Sequence, residues 1–156
     1  MDIEGKKAIV FGGTSGIGLA TCKELQARGA NVVAVSRDPN KAGASIDGIR
    51  LAAVDARDSD AVSAFFESEE KIDILISSAT GGSRAFGPFL EMDIDGFKGS
   101  FDKLWGYSNV VRYGTPKLGD DGCIVLVSGT PARRMKPGQV ALSAVGGAVE
   151  ALARAI

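Results

Sequence analysis

The chain contains no histidine. That absence excludes His-based catalytic triads, His-ligated metal sites and any imidazole pH switch. Cysteine is scarce as well. Cys22 and Cys123 stand far apart and fit neither a disulfide framework nor a zinc site. No sign of charge dominates: 18 Lys and Arg face 19 Asp and Glu, with no block of like charge. This balance argues against a nucleic-acid binder working through a broad basic surface. No apolar run is long enough to span a membrane, and the opening MDIEGKK has no signal-peptide core. A reducing, cytoplasmic setting is the default expectation, with neither nucleic acid nor membrane as partner and no metal. Apolar residues at 45% and charged residues at 24% exclude wholesale disorder. The 156 residues make one domain, read as 1–156. What is abundant is glycine, 21 residues, about twice average usage.

Short β-branched runs alternate with longer helical patterns, which is the βαβ signature of a parallel sheet. The runs predict strands over 7–11, 31–36, 49–54, 72–77 and 123–128. Helical spacing predicts helices from Gly16 to Arg28, from Ser59 to Glu69, over a long stretch from Ile94 to Tyr113, and from Leu142 to Ile156. Arg28-Gly29 supplies a cation and a glycine at a helix end. The strands are nearly continuous in apolar residues, so both faces of the sheet are covered by helices. The expectation is a three-layer α/β fold, an open doubly wound parallel sheet of five strands in the order 3-2-1-4-5.

The most specific local feature is Gly12-Gly13-Thr14-Ser15-Gly16-Ile17-Gly18, between the first strand and the first helix. Gly12 allows the tight turn, Gly16 lets backbone approach a pyrophosphate, and Gly18 lets the helix approach the sheet. The N–H groups opening that helix favour an anion, and Thr14 and Ser15 can add hydroxyl donors. The loop from Gly12 to Gly18, Ile17 included, is the first candidate cofactor site. Roughly 20 residues further on, such folds read the adenosine ribose. Here Ser36 precedes Arg37, a hydroxyl followed by a guanidinium, which suits a 2′-phosphate. NADP(H) is therefore expected, with NAD(H) as runner-up. The alternative for Arg37 is a solvated charge leaving a strand.

The spacing of Gly12, Gly16 and Gly18 resembles that of the short-chain dehydrogenase/reductase family, single-domain Rossmann oxidoreductases. Further matches follow in order. Asp55, in AVDARD, sits where the resemblance implies an adenine contact. IDILISSAT matches the fourth strand and the Asn-Asn-Ala-Gly segment, with Ser77, Ser78, Ala79 and Thr80 at its four positions. Ser77, Ser78 and Ala79 join the cofactor set on that basis. Asp120-Asp121-Gly122 resembles the entry to the fifth strand, and AVGGAVEALARAI the helix after it.

The resemblance implies hydride transfer to or from a small carbonyl or alcohol, served by a Ser, a Tyr, a Lys and a helper Asn. An ungapped comparison puts the Tyr position at Leu142, the Lys position at Gly146, the Ser position at Gly129 and the Asn position at about Lys103. None of the four matches, so the family's acid–base step cannot run through these residues. Ser128 and Lys103 are the candidate substitutes. Each has a plain alternative: a strand-end hydroxyl satisfied by backbone for Ser128, a solvated helix charge for Lys103. Ser143 is a further hydroxyl near the start of the last helix. Arg133, Arg134 and Lys136 either favour an acidic substrate or form a solvated loop, and Trp105 and Tyr107 read as packing or dimer-interface residues. The family also continues into a C-terminal lobe that this sequence does not show. Either the 156 residues are part of a longer chain, or a partner covers the fifth strand. Three function classes stay open: an NADPH-linked oxidoreductase, a catalytically inactive dinucleotide-binding module, and a structural subunit. The resemblance implies a homo-oligomer through the family's fourth and fifth helices, here the stretches 94–113 and 142–156.

Overall fold

Apolar runs of five or six residues with β-branched side chains are extended segments whose two faces both seek cover. The computed structural model, which describes residues 2–42, 47–80 and 83–156, places them in one parallel sheet. Its strands are β1 (Lys7–Phe11), β2 (Asn31–Ser36), β3 (Arg50–Ala53), β4 (Ile72–Ser77) and β5 (Leu118–Leu126). They lie in the order β3-β2-β1-β4-β5, as the alternation predicts. The helices are α1 (Gly16–Ala27), α2 (Ser59–Glu67), α3 (Ile94–Ser100), α4 (Asp102–Gly114) and α5 (Val140–Ala155).

Alternation along β1 divides the core. Ile9 and Phe11 point to the face covered by α2 and α4, where they meet Val33, Val35, Leu75, Phe66 and Val110. Ala8 and Val10 point to the face covered by α1, with Val32, Ala34, Ile74 and Cys22. Phe11, Phe65 and Phe66 form an aromatic cluster with ring centroids 5.3 to 5.8 Å apart. Each such large side chain, fully buried, contributes roughly 1.5–3 kcal/mol. Burial also pushes the Cys22 thiol up to about 11, which makes it an inert packing residue.

Two elements differ from the sequence expectation. The fifth strand begins at Leu118, five residues early, because the glycine-rich entry pairs with the sheet as well. Leu118 sits opposite Ile72 and Cys123 opposite Ile74, so the strand bulges between them. A Cβ at Gly122 would lie 2.8 Å from the Gly119 carbonyl oxygen, so the bulge needs that glycine. The strand ends at Leu126, although the Val127 N–H still donates to the Ser77 carbonyl at 3.0 Å. The long helix is broken at Phe101. Its N–H donates to Lys98 O at 2.9 Å and its carbonyl accepts from Leu104 N–H at 2.8 Å, both with the tighter three-residue spacing. The buried Ser100 hydroxyl pulls that turn onto the preceding loop, accepting from Ala85 N–H at 3.0 Å. Other boundaries move by one or two residues: β3 spans 50–53, α2 ends at Glu67 and α5 starts at Val140. β5 is an edge strand, as expected, and Val125 on it is 45% exposed. Among the described residues no helix is long and apolar enough to cross a membrane, and no group of three His, Cys, Asp or Glu converges.

The foot of the sheet, where the strands begin, is tied by charge. The Glu69 side chain is 4% exposed; its carboxylate meets Lys7 Nζ at 2.9 Å and also the Arg50 guanidinium. Lys117 donates to the Glu69 carbonyl oxygen at 2.9 Å. Beside it, Asp73 accepts from Lys7 N–H at 2.9 Å and from Lys6 Nζ at 3.1 Å. Burial alone would raise the Glu69 pKa, but hydrogen bonds and attraction from Arg50 and Lys7 outweigh it and hold it below the ordinary value. A carboxyl depressed in the folded state adds stability above its unfolded pKa and loses it as pH falls through the folded one. Glu69→Gln is therefore expected to cost about 2 kcal/mol at neutral pH. That cost should shrink below roughly pH 4. Urea unfolding of both proteins from pH 7 to pH 3 measures this; a cost independent of pH would refute the assignment.

Candidate functional site

Parallel strands end on one side, and the order reverses between β1 and β4, which opens a crevice at that switch point. β1 leaves the sheet at Gly12, whose φ of +80° only glycine adopts readily. Its N–H donates to the Val35 carbonyl at 2.8 Å, and a Cβ there would lie 2.7 Å from Ala79 N. At Gly18, on α1, a Cβ would overlap the Gly12 carbonyl and come within 2.5 Å of Ser78 Oγ. Ser78 closes the join, donating to the Phe11 carbonyl from its N–H at 2.9 Å and its hydroxyl at 3.0 Å. The start of α1 is thus clamped to the exits of β1 and β4.

That helix start is chemically open. Ser15 is the N-cap in extended geometry with no side-chain cap bond, and no acidic residue lies in the first turn. By contrast α2 is capped by Asp58 and α3 by Asp93. At Gly16 a Cβ would meet no protein atom within 4 Å, so the space above it is free. An uncapped helix start with free backbone N–H groups suits an anion.

A cleft of about 700 Å³ runs over this turn. Of the sequence-selected residues, Gly12, Thr14, Ser15, Ser36, Arg37, Asp55, Ala79 and Lys103 line it. The Ser36 hydroxyl is buried without a hydrogen-bond partner, and Arg37 is exposed beside it. Arg57 donates to Asp55 at 2.7 Å and reaches Asp102 at 3.2 Å, bridging the β3–α2 turn to α4. Those hydrogen bonds outweigh desolvation and keep the Asp55 carboxyl below its usual range. Ile17 and Ser78 lie at a neighbouring cavity, whereas Gly16, Gly18 and Ser77 line neither. Ser77 is wholly buried inside the sheet.

The neighbouring cavity, about 230 Å³, lies between the exit of β5 and α5. It gathers Lys103, Gly129, Leu142 and Gly146, the four positions the family comparison assigns to chemistry. Three carry no polar side chain. At Gly146 a Cβ would come 2.8 Å from Ala132 Cβ, so the room for a longer side chain is taken. Ser128 also lines the cavity, and its hydroxyl donates to the Gly146 carbonyl at 3.2 Å. Lys103 is half-buried: its amine sits 5.2 Å from the centre of the Tyr107 ring, and the residue lines both spaces. Burial, and then the nearby Arg84, push its pKa below the usual lysine value. Tyr107 packs as expected; its hydroxyl donates to the Val127 carbonyl at 3.0 Å, and burial raises its pKa. Trp105 is exposed on α4. Ser143 lies in the first turn of α5, its hydroxyl buried without a partner. Arg133, Arg134 and Lys136 are exposed away from both cavities, and Arg133 pairs with Glu150 at 3.1 Å.

Residue patterns did not select Thr80, Arg84, Arg57 or Tyr107 for the site, yet all line one of these spaces. The signal for the first two was position: both follow β4, where loops at the strand ends converge.

A five-stranded parallel sheet with a glycine turn at its switch point is a Rossmann-like α/β fold. The short chain dehydrogenase family model matches residues 6–156, and the chain belongs to that family of oxidoreductases. L-xylulose reductase from Mesocricetus auratus is 30% identical over 99% of this chain and 65% of its own length. Carbonyl reductase (NADPH) 2 from Sus scrofa is 30% identical over 100% of this chain and 66% of its own. A short chain dehydrogenase from Burkholderia cenocepacia, solved in complex with NADP, superposes with a TM-score of 0.89 at 26% identity. That match covers 99% of this chain and 66% of the other. The chain spans about 65% of the length of the curated relatives it matches.

Gly18→Ala is expected to destabilise the protein by about 2 kcal/mol, the range for forcing a methyl group into a packed contact. Denaturant unfolding measures this, and a loss under about 0.5 kcal/mol, the level of an ordinary surface change, would show that the clamp is loose.

Proposed function

We propose that the protein is an NADP(H)-dependent oxidoreductase acting on a small carbonyl or alcohol substrate. The observation that carries this reading is the cleft at the switch point. An uncapped helix start, an unpartnered buried hydroxyl at Ser36 and the Arg37 guanidinium all border it. The residues fit the dinucleotide. The Gly12–Gly18 turn, with Thr14 and Ser15, would hold the pyrophosphate, and Ser36 and Arg37 the 2′-phosphate. Asp55, kept ionised by Arg57, would border the adenine. NAD(H) is the runner-up.

When bound, the cofactor supplies or receives the hydride at its nicotinamide ring. The chain must supply the proton, and Lys103 is the group in place to do so. In the reducing direction its ammonium would give one proton to the carbonyl oxygen, and solvent would then reprotonate the amine. Ser128, whose proton is engaged by Gly146, offers an acceptor for a substrate alcohol. Assembly as a homo-oligomer through α4 and α5, in a cytoplasmic setting, belongs to the same reading.

Leu142 and Gly146 favour a second reading, a dinucleotide-binding protein without turnover, since neither has a proton to give. Calorimetric titration with NADPH and NADH at moderate salt tests what the two readings share. Tighter binding of NADPH is expected. Arg37→Ala should weaken NADPH about tenfold or more and leave NADH unchanged; equal loss for both would remove the 2′-phosphate assignment.

Turnover of NADPH across ketones, aldehydes and enones separates the readings. If the oxidoreductase reading holds, Lys103→Met should lower kcat by roughly 10²–10⁴. The reduction rate should also fall as pH rises through a lysine pKa below the ordinary value, because the reaction needs the ammonium form. Stoichiometric binding with no turnover would establish the second reading.

A further inference from the structure

The 230 Å³ cavity has an unusual supply of hydrogen-bond donors. Its serines have none to give: Ser78 donates to the Phe11 carbonyl at 3.0 Å, Ser100 to Gly96 O at 3.0 Å and Ser128 to Gly146 O at 3.2 Å. What remains are the Thr80 hydroxyl and two cations, Arg84 from the loop after β4 and Lys103 from α4. No Asp or Glu lines the cavity, and neither cation forms an ion pair with a described carboxylate. The lining also includes the apolar Val127, Pro131, Leu142 and Val145.

Lys103, half-buried, and Arg84, exposed at the cavity's edge, carry like charges that repel, and a neutral ligand leaves that repulsion in place. A carboxylate removes it and takes the guanidinium fork in a bidentate grip. The basic cluster at 133–136 does not line the cavity.

We propose that the substrate of this site is a small 2-oxo acid or the matching 2-hydroxy acid. Its carboxylate pairs with Arg84, its carbonyl oxygen meets Lys103, and its short alkyl chain packs on Leu142 and Val145. The substrate class rests on the oxidoreductase reading, but the anion site beneath it does not. In reduction, hydride adds to the carbonyl carbon and the Lys103 proton to its oxygen, giving the hydroxy acid; the carboxylate is unchanged.

The first test uses the full chain with saturating NADP⁺, and again without it, titrated by NMR with butyrate and with butyramide. The two probes match in size and differ in charge. Butyrate should bind about tenfold more tightly or better. Arg84→Gln, at an exposed loop position, should erase the preference. Equal binding of the two probes, or a preference that survives Arg84→Gln, would overturn the proposal. The second test compares NADPH consumption with 2-oxobutyrate and with butan-2-one; the oxo acid should be the faster, and the reverse order would refute the substrate class. If NADPH fails to bind while the butyrate preference holds and depends on Arg84, the oxidoreductase reading and its substrate class fall and the anion site stands.

Discussion

Everything at the functional end of the molecule depends on one close approach. At the switch point the backbone leaving β1 and the backbone leaving β4 touch with no side chain between them. Gly12 meets Ala79, and Gly18 meets Gly12 and Ser78. The Phe11 carbonyl, taking two bonds from Ser78, fixes the distance. From this contact α1 acquires its direction, and the free N–H groups of its first turn acquire theirs. The loop that carries Thr80 and Arg84 starts from the same point, so both cavities inherit their positions from it.

A second division follows from the sheet being parallel. Strand starts gather at one end and strand exits at the other. The starts are joined by Glu69, Lys7, Arg50 and Asp73, charges neutralised by one another. The exits carry polar groups left short of partners: the Ser36 hydroxyl, the start of α1, Lys103 and Arg84. Paired charges tie the strand starts together, and polar groups short of partners gather at the exits. Arg57, paired with both Asp55 and Asp102, straps the cleft rim to α4.

Much of this was legible in the residues. The β-branched runs at 7–11, 31–36 and 72–77 agree with the strands residue for residue, because a strand buried on both faces has no other composition. The Gly12–Gly18 spacing located the switch point and brought Gly12, Thr14 and Ser15 of the cleft lining with it. The break at Phe101 was not legible, since periodicity reports a helix face but not the pull of Ser100 on a distant loop. The early start of β5 was hidden by Gly119 and Gly122, which interrupt the apolar run yet form a bulge within the ladder. Ser77 fell within a familiar segment and lies inside the sheet instead. Arg84 escaped notice because a glycine-rich loop has no period to mark which of its side chains borders a cavity. Lys103, a candidate from the family comparison, lies over the Tyr107 ring, a contact that periodicity does not report.

The contact between Gly146 and Ala132 has an evolutionary consequence. A lysine at 146 cannot enter while Ala132 keeps its methyl group, and a smaller residue at 132 does nothing while 146 remains glycine. The two positions are epistatic: the path from this cavity to one holding a charged side chain on α5 passes through an intermediate with no benefit of its own. Substitution scans taken one position at a time will record 146 as intolerant for a reason that lies in its neighbour. The order of mutations, and not the value of the final pair, then governs which descendants of this sequence are reachable.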